Sequence, residues 1–378
     1  MPEYYIGLIS GTSLDAVDAA LLDLSSQPPR LLQAISHPLP DALRSELLNL
    51  CQPGENEIQR LGQADTCLGK TLAEAVKALL SAAQTHATEI QAIGSHGQTV
   101  RHLPLGEDGF SLQIGDPNRI AEQTGITTVA DFRRRDLAAG GEGAPLAPAF
   151  HAAVFAHTET PRIILNLGGI ANITLLDADP AQAVSGFDTG PANGLMDAWI
   201  QHHRQQPFDQ DGAWAASGRV DEPLLKQLLS DVYLQQPPPK SSGREYYNLA
   251  WLEKQLGALS RQLPAEDVQA TLCEFSAASV ADAIGRFVKP KQVALWELYV
   301  CGGGAHNSHF MSRLSGRLAP MAVKTTTELG IEPDWVEACA FAWLARETLQ
   351  HRAGNIPAVT GARRSVILGG IYPGLTSA

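Results

Sequence analysis

The sequence predicts an α/β protein in two lobes, and three observations predict it. An apolar strand, a turn of glycine and small hydroxyl residues, and a second strand run from Tyr4 to Asp23. The pattern returns half a chain later from Arg162 to Asp177, with Gly168 and Gly169 in the turn. A third glycine run, Gly302-Gly303-Gly304, directly follows the apolar segment 296–300. The length, 378 residues, is long for one core and comfortable for two domains. Turns of this kind expose backbone N–H groups and hydroxyls that can hold phosphate oxygens, so two facing copies would clamp one polyphosphate.

Composition places the chain among ordinary globular proteins, with 44% hydrophobic and 18% charged residues. A net charge of −12 argues against a nucleic-acid partner, which needs clustered Lys and Arg. No apolar run approaches the ~20 residues that cross a bilayer, so no membrane partner is expected. No basic segment followed by an apolar block marks a secretory signal, and Asn172-Ile173-Thr174 reads as a chance sequon. Cys51, Cys67, Cys273, Cys301 and Cys339 lack CxxC spacing and read as reduced thiols of a cytoplasmic protein. The histidines show no metal-ligand spacing.

After the first hairpin, residues 31–40 read as a third strand ended by Pro38 and Pro40. Residues 41–51 read as a helix with Asp41 as N-cap, and 57–83 as a long amphipathic helix with a possible kink at Gly69. Gly69-Lys70-Thr71 mimics the end of a phosphate-binding loop, but Ala64 stands where that signature needs glycine and no strand precedes it. A short buried strand over 90–94 opens into Ser95–His102, where polar residues crowd a strand end as ligand-binding residues do in open α/β sheets. His96 and Thr99 are the candidates there, while Arg101 and His102 also suit a solvated loop. Segment 112–116 precedes a helix over 118–123, and a strand over 127–130 leads to Asp131-Phe132-Arg133-Arg134-Arg135-Asp136. Arginines between two aspartates form by default a self-neutralising face. Placed between a strand and the flexible loop 140–145, they could instead hold a carboxylate or phosphate bidentately. A helix from 148 to 155 leads to the second hairpin.

In the second half, Asp188-Thr189-Gly190 follows a short strand and begins a helix over 194–203, whose N-terminus suits an anion. Aspartic proteases also carry Asp-Thr-Gly, but they need two carboxylates sharing a proton, and no second copy exists here. Asp188 alone suits a general base. Segments 205–220 and 235–245 are irregular; Pro237–Glu245 reads as a rigid linker or as a lid carrying Lys240 or Arg244, composition favouring the linker. A long amphipathic helix over 268–288, a strand over 296–300, the glycine run and a helix from Ser308 follow, a geometry that binds nucleotides. A further strand-to-loop segment starts at 325. Asp334 to Glu337 has capping-box spacing for a helix over 335–349, leaving Glu337 either a cap or a substrate contact. The tail 357–378 holds one more apolar segment expected to pack back on the body.

Taken together, Ser10–Asp18, Gly94–Thr99, Asp131–Asp136, Gly140–Leu146, Asn166–Asn172, Asp188–Asn193, Pro239–Glu245, Val300–Asn307 and Glu337–Trp343 resemble the motifs of the bacterial anhydro-N-acetylmuramic acid kinases, in order and over essentially the whole chain. The resemblance implies the two-lobed actin-like ATPase (ribonuclease H-like) fold of the sugar-kinase superfamily, with a mixed sheet flanked by helices in each lobe and an ATP cleft between lobes. Residues 1–135 with 358–378 are expected in one lobe and 136–357 in the other. The implied reaction uses ATP and Mg²⁺: water opens 1,6-anhydro-N-acetylmuramic acid while the phosphoryl group moves to O6, giving N-acetylmuramic acid 6-phosphate. A cytoplasmic homodimer serving peptidoglycan recycling is implied as well.

Carried over residue by residue, Asp188 is the base that activates water, and Thr99, Arg135 and Glu337 contact the sugar. Gly11, Thr12, Ser13, Leu14, Asp15, Ala16, Val17 and Asp18, with Gly168 and Gly169, correspond to the phosphate loops, and Gly302, Gly303 and Gly304 to the adenosine loop. Metal ligands are not assigned. Ala16 replaces a common glycine, which matters if the position needs positive φ, and Ser242 replaces a threonine while keeping its hydroxyl. The chemistry fits independently. Phosphoryl transfer needs positioning and charge neutralisation, and glycosidic cleavage needs a carboxylate opposite the departing oxygen. Capture of O6 by the γ-phosphate removes the need for a second carboxylic acid. Two rivals stand: a kinase acting on an ordinary sugar hydroxyl, and a nucleotide-gated sugar sensor. The acidic charge and the lack of a DNA-binding segment before Tyr4 count against a repressor.

Overall fold

The structure, a computed structural model, describes residues 2–11, 14–238, 240–243, 246–288 and 295–375. Thr12 and Ser13 of the first glycine turn, and Arg244 of the 237–245 segment, lie outside the described residues. Two compact units form: Met1–Phe155 with Trp335–Ala378, and Ala156–Asp334.

The first unit begins with strands β1 (Tyr4–Ser10), β2 (Ala16–Asp23) and β3 (Arg30–Pro38), then helices α1 (Asp41–Leu50) and α2 (Glu57–Ala83). Strands β4 (Ile90–Ser95), β5 (Gln98–Leu103) and β6 (Phe110–Ile114) precede helix α3 (Pro117–Thr124). Strand β7 (Thr128–Ala130) leads into α4 (Arg134–Ala138) and α5 (Ala147–Phe155). The run YYIGLIS of β1 is buried from Tyr5 onward, as a strand covered on both faces must be. It pairs antiparallel with β2 and parallel with β4. On one face Ile6, Leu8 and Ile93 meet Leu68, Leu72 and Val76 of α2 in a single apolar cluster. Residue 41 is the first helical residue of α1 rather than its cap; Pro40 occupies the cap position and makes no side-chain cap bond. Residues 98–103 are a strand, not a loop, paired antiparallel with β6. Its Arg101 is tied to Glu57 and to the Leu50 carbonyl, a structural rather than a ligand-facing placement.

The second unit holds β8 (Arg162–Leu167), β9 (Ile170–Leu176), β10 (Ser185–Pro191) and α6 (Asn193–Arg204). Within 205–220, expected to be irregular, a short helix α7 (Ala213–Ser217) forms; α8 (Glu222–Leu229), α9 (Val232–Gln235), α10 (Leu249–Gly257) and α11 (Ala265–Phe287) follow. Strand β11 (Glu297–Cys301), helix α12 (Ser308–Leu318) and strand β12 (Val323–Thr325) complete it. Helix α11 was expected to be amphipathic, yet every residue from Val268 to Val280 is buried. Buried partners meet polar side chains inside: Glu274 pairs with Arg313 and Arg317, and the Ser276 hydroxyl donates to the Ala192 carbonyl at 3.0 Å.

The chain then returns to the first unit with α13 (Val336–Leu349), α14 (Pro357–Thr360) and β13 (Gly370–Tyr372). Helix α13 crosses the second face of the first sheet over the paired Gly7 and Gly94. A Cβ on Gly7 would stand 1.8 Å from the Ala338 carbonyl oxygen, and one on Gly94 2.0 Å from that of Phe341. Only glycine permits this approach, so residues 335–357 belong with the first unit and not the second, as does α5 (136–155 follow it). The expected Asp334 cap of α13 does not form. Trp335 takes the cap position, and the Asp334 carboxylate meets His306 Nε2 at 2.8 Å. The tail does pack back, with β13 antiparallel on β7.

Strand order is β13-β7-β4-β1-β2-β3 in the first sheet and β10-β9-β8-β11-β12 in the second. In each, an antiparallel hairpin-and-return of three strands is extended by two parallel strands on the side of the first strand. The repeat in the sequence is therefore a duplicated ribonuclease H-like sheet, α/β and mixed in both units. No described helix is long and apolar enough to cross a membrane.

Candidate functional site

In the first unit, the ends of β1 and β4 are stitched together: the Ser10 N–H donates to the Gly97 carbonyl at 3.2 Å, and the His96 N–H to that of Leu8 at 2.9 Å. Between β1 and β2, Leu14 holds φ 55 with its side chain 2% exposed. Left-handed backbone costs a non-glycine residue about 1–2 kcal/mol, and burial of the leucine in the core offsets it. The unusual residue Ala16 simply opens β2 opposite Pro38, without positive φ. Val17 is fully buried, and Asp18 accepts the Ser36 hydroxyl at 3.0 Å, so both belong to β2. The buried Ser10 and Ser95 hydroxyls have no hydrogen-bond partner among the described residues.

His96 organises the next layer. Its Nδ1 lies 3.1 Å from the Gly97 carbonyl, which can only accept, so the proton sits on Nδ1. Nε2 then accepts from Arg133 Nε at 3.1 Å and Nη2 at 2.9 Å. Burial, then the guanidinium charge, push the imidazole pKa well below its ordinary value. The ring packs on Phe341, 4.7 Å between centroids. Burial lowers Arg133 to about 10, partly offset by the charge of Glu337. The expected sugar contacts are thus placed unevenly. Glu337 lies in the first turn of α13 and acts on Arg133. Thr99 is half-buried on β5, its hydroxyl accepting Gln113 Nε2 at 3.0 Å. Arg135 is exposed on α4, and the arginine turned inward is Arg133, which sequence reasoning passed over. The signal was available: 133 and 136 are three apart and share a helix face, and Asp136 is fully buried.

In the second unit, the Gly168 carbonyl accepts the Asn193 N–H at 3.0 Å, and the Gly169 carbonyl those of Ala192 and Gly194, both at 3.0 Å. The start of α6 is therefore spent on the glycine turn and is not the anion site expected of it. A trans peptide points its C=O and N–H in opposite directions, so the N–H groups of Gly169 and Ile170 face away from α6. The start of α12 is likewise occupied: Asn307 Oδ1 accepts the Phe310 N–H at 2.9 Å, and Asp211 Oδ1 the Ser308 N–H at 3.1 Å. In the third glycine run, a Cβ on Gly302 would meet Asn166 Oδ1 at 2.4 Å, and one on Gly304 would meet Leu167 Cβ at 2.6 Å. A Cβ on Gly303 would meet nothing within 4 Å. Gly302 and Gly304 press the loop onto the Gly168 turn, and Gly303 is the one that faces open space.

Asp188 lies inside β10, not in a loop after it, at an irregularity in the pairing with β9 between Asp188 and Gly190. Its N–H donates to the Lys240 carbonyl at 3.2 Å, and Tyr233 Oη donates to its carbonyl at 2.9 Å. Its Oδ2 accepts the Ser241 hydroxyl at 3.0 Å and the Ser242 N–H at 2.9 Å. The segment read as a linker is a strap on this carboxylate, and Lys240 anchors it by donating to the Tyr233 and Leu234 carbonyls at 3.3 Å each. Thr189 is structural, its hydroxyl on the Ala171 carbonyl at 3.2 Å. No group of three His, Cys, Asp or Glu side chains that could hold a metal occurs among the described residues.

Duplicated ribonuclease H-like sheets with glycine turns at their strand ends define the actin-like class of α/β folds. The anhydro-N-acetylmuramic acid kinase family matches residues 3–374, and the chain belongs to it. Relatives named anhydro-N-acetylmuramic acid kinase include one from Coxiella burnetii, 51% identical over 372 residues and 98% of both chains. Another from Shewanella pealeana is 53% identical over 371 residues, again 98% of both chains. A third from Saccharophagus degradans is 52% identical over 374 residues, covering 98% of this chain and 99% of its own.

Proposed function

We propose that this chain is an ATP-dependent kinase that opens 1,6-anhydro-N-acetylmuramic acid with water and phosphorylates O6, releasing ADP and N-acetylmuramic acid 6-phosphate. Family membership supports the substrate, and the observation that carries the hydrolytic half is Asp188, a carboxylate whose Oδ2 accepts two donors at an irregular strand position. The water oxygen bonds to C1 and its proton passes to the Asp188 carboxylate. The C1–O6 bond breaks with its electron pair on O6, which takes the γ-phosphoryl group as ADP departs. One carboxylate then suffices for cleavage.

The outward N–H groups of Gly169 and Ile170, and the turn Gly11–Asp15, are suited to phosphate oxygens, and Gly303 to close approach of the nucleotide. Val17 serves the turn through its backbone and core packing. Thr99, Arg135 and Glu337 contact the sugar, and Arg133 is added to them: a guanidinium held by His96 and the Gly143 carbonyl matches the lactyl carboxylate of the substrate. Mg²⁺ neutralises charge on the transferring phosphoryl group. A magnesium ion bound through the nucleotide phosphates would need few ligands from the chain. A cytoplasmic homodimer acting in peptidoglycan recycling completes the reading.

Incubation with ATP, Mg²⁺ and the anhydro sugar tests it. The expected product is heavier than the sugar by a phosphate and a water. A gain of phosphate alone would indicate an ordinary hydroxyl kinase, and ADP without sugar phosphate a sensor or idle ATPase.

A further inference from the structure

We infer that Ser241 and Ser242 are positioning residues of the hydrolytic half-reaction, setting the carboxylate of Asp188 and the water it deprotonates; this rests on the reading of Asp188 as the base. The geometry gives the strap three separate holds. Backbone pairing comes first, from the Asp188 N–H to the Lys240 carbonyl at 3.2 Å. Then Ser241 Oγ and the Ser242 N–H both donate to Oδ2, at 3.0 and 2.9 Å. Two donors on one oxygen favour the ionised carboxylate and fix its rotation. The proton from water goes to the carboxylate so oriented and leaves it after product departs.

Lys240 fixes the strap to α9. Its Nζ donates to the Tyr233 and Leu234 carbonyls and lies 4.8 Å from the centre of the Tyr233 ring and 5.9 Å from that of Phe187. This cation is therefore spent on structure. Around Asp188, the titratable and charged groups include Tyr233 from α9, Lys240 from the strap and, acting on Lys240, Arg286 from α11. The Tyr233 hydroxyl holds the Asp188 backbone carbonyl, so its protonated form is structural as well. What remains is the Ser242 hydroxyl, whose oxygen is buried beside the base and has no hydrogen-bond partner among the described residues. A buried hydroxyl is normally satisfied. Its backbone N–H already holds Oδ2, which places the side chain where the attacking water must sit, and that water is its partner.

Ser241 is exposed, so its replacement leaves the fold in place. Steady-state turnover of the anhydro sugar is measured across pH for the wild type, Ser241→Ala, Ser241→Thr, Ser242→Ala and Asp188→Asn. For Ser241→Ala we expect kcat to fall about tenfold, KM for ATP to hold, and the acid limb of the kcat profile to rise by about one pH unit, because a donor to the charged form is lost. Ser241→Thr should restore both. Ser242→Ala should lower kcat several-fold with the acid limb in place, since the N–H on Oδ2 survives. An inactive Asp188→Asn beside a Ser241→Ala profile that superposes on the wild type would overturn the inference while leaving the base intact. An active Asp188→Asn would overturn both.

Discussion

The three glycines at 302–304, proposed to receive the nucleotide, separate structural from functional need, and alanine at each in turn exposes the difference. At Gly302, φ is +80 and a Cβ would sit 2.4 Å from Asn166 Oδ1 and 3.0 Å from the Leu167 carbonyl carbon. Left-handed backbone contributes a cost of about 1–2 kcal/mol, and relief of the overlap about 1–3 kcal/mol more. Gly302→Ala should therefore lose about 2–5 kcal/mol of unfolding free energy. At Gly304 the φ is ordinary, but the new methyl would meet Leu167 Cβ at 2.6 Å and Asn193 Oδ1 at 3.0 Å, so the overlap cost alone applies. Gly303 faces neither problem, and Gly303→Ala should stay within about 0.5 kcal/mol of wild type. Its penalty falls instead on the nucleotide, whose close approach the methyl obstructs, and ATP affinity should drop several-fold. Denaturant unfolding and nucleotide titration on the same three variants read both quantities. Equal stability losses at 302 and 303, or unchanged ATP affinity in Gly303→Ala, would refute the division of labour.

Two further outcomes are expected. His96 is buried neutral, so its folded pKa lies below the ordinary 6.5 and the unfolded chain binds the extra proton. The stability it contributes is present above pH 6.5 and lost as pH falls below that value, by up to about 1.4 kcal/mol per pH unit for such a group. His151, lowered to about 3 by burial, acts in the same direction. The thermal midpoint should drop steadily from pH 6.5 toward 4.5, and a flat midpoint over that window would contradict the buried neutral state. Arg133→Met should cut kcat/KM for the anhydro sugar by about 10–100-fold, the range of a charge-assisted bidentate contact, whereas Arg135→Ala should cost less. The reverse ranking in steady-state kinetics would return the carboxylate to Arg135.

Much of this was legible in the sequence because the determinants are local. The β1–β2 and β8–β9 hairpins announce themselves by apolar strands around glycine turns, and α2 spans residues 57–83 as its apolar spacing requires. Other features depend on partners far along the chain. Nothing in Gly186–Pro191 reads as strand, yet pairing with β9 carries β10 through Asp188. Glu274 and Ser276 read as solvated positions until Arg313, Arg317 and the Ala192 carbonyl supply buried partners. The N-termini of α6 and α12 resemble anion sites only until Gly168, Gly169, Asn307 and Asp211 are seen to accept their N–H groups. The strap at 240–243 was hidden behind the prolines that precede it, and its hold on Asp188 spans more than fifty residues. Likewise, the choice between Arg133 and Arg135 turned on which way α4 faces. The charge run alone did not show that.

The most direct measurement follows the oxygen. Turnover of 1,6-anhydro-N-acetylmuramic acid with ATP and Mg²⁺ in ¹⁸O-water should place the label in the C1 hydroxyl of the 6-phosphate product and not in the phosphate. Asp188→Asn should abolish that turnover while still binding ATP. Unlabelled C1, or a labelled product formed by Asp188→Asn at the wild-type rate, would contradict water activation by Asp188.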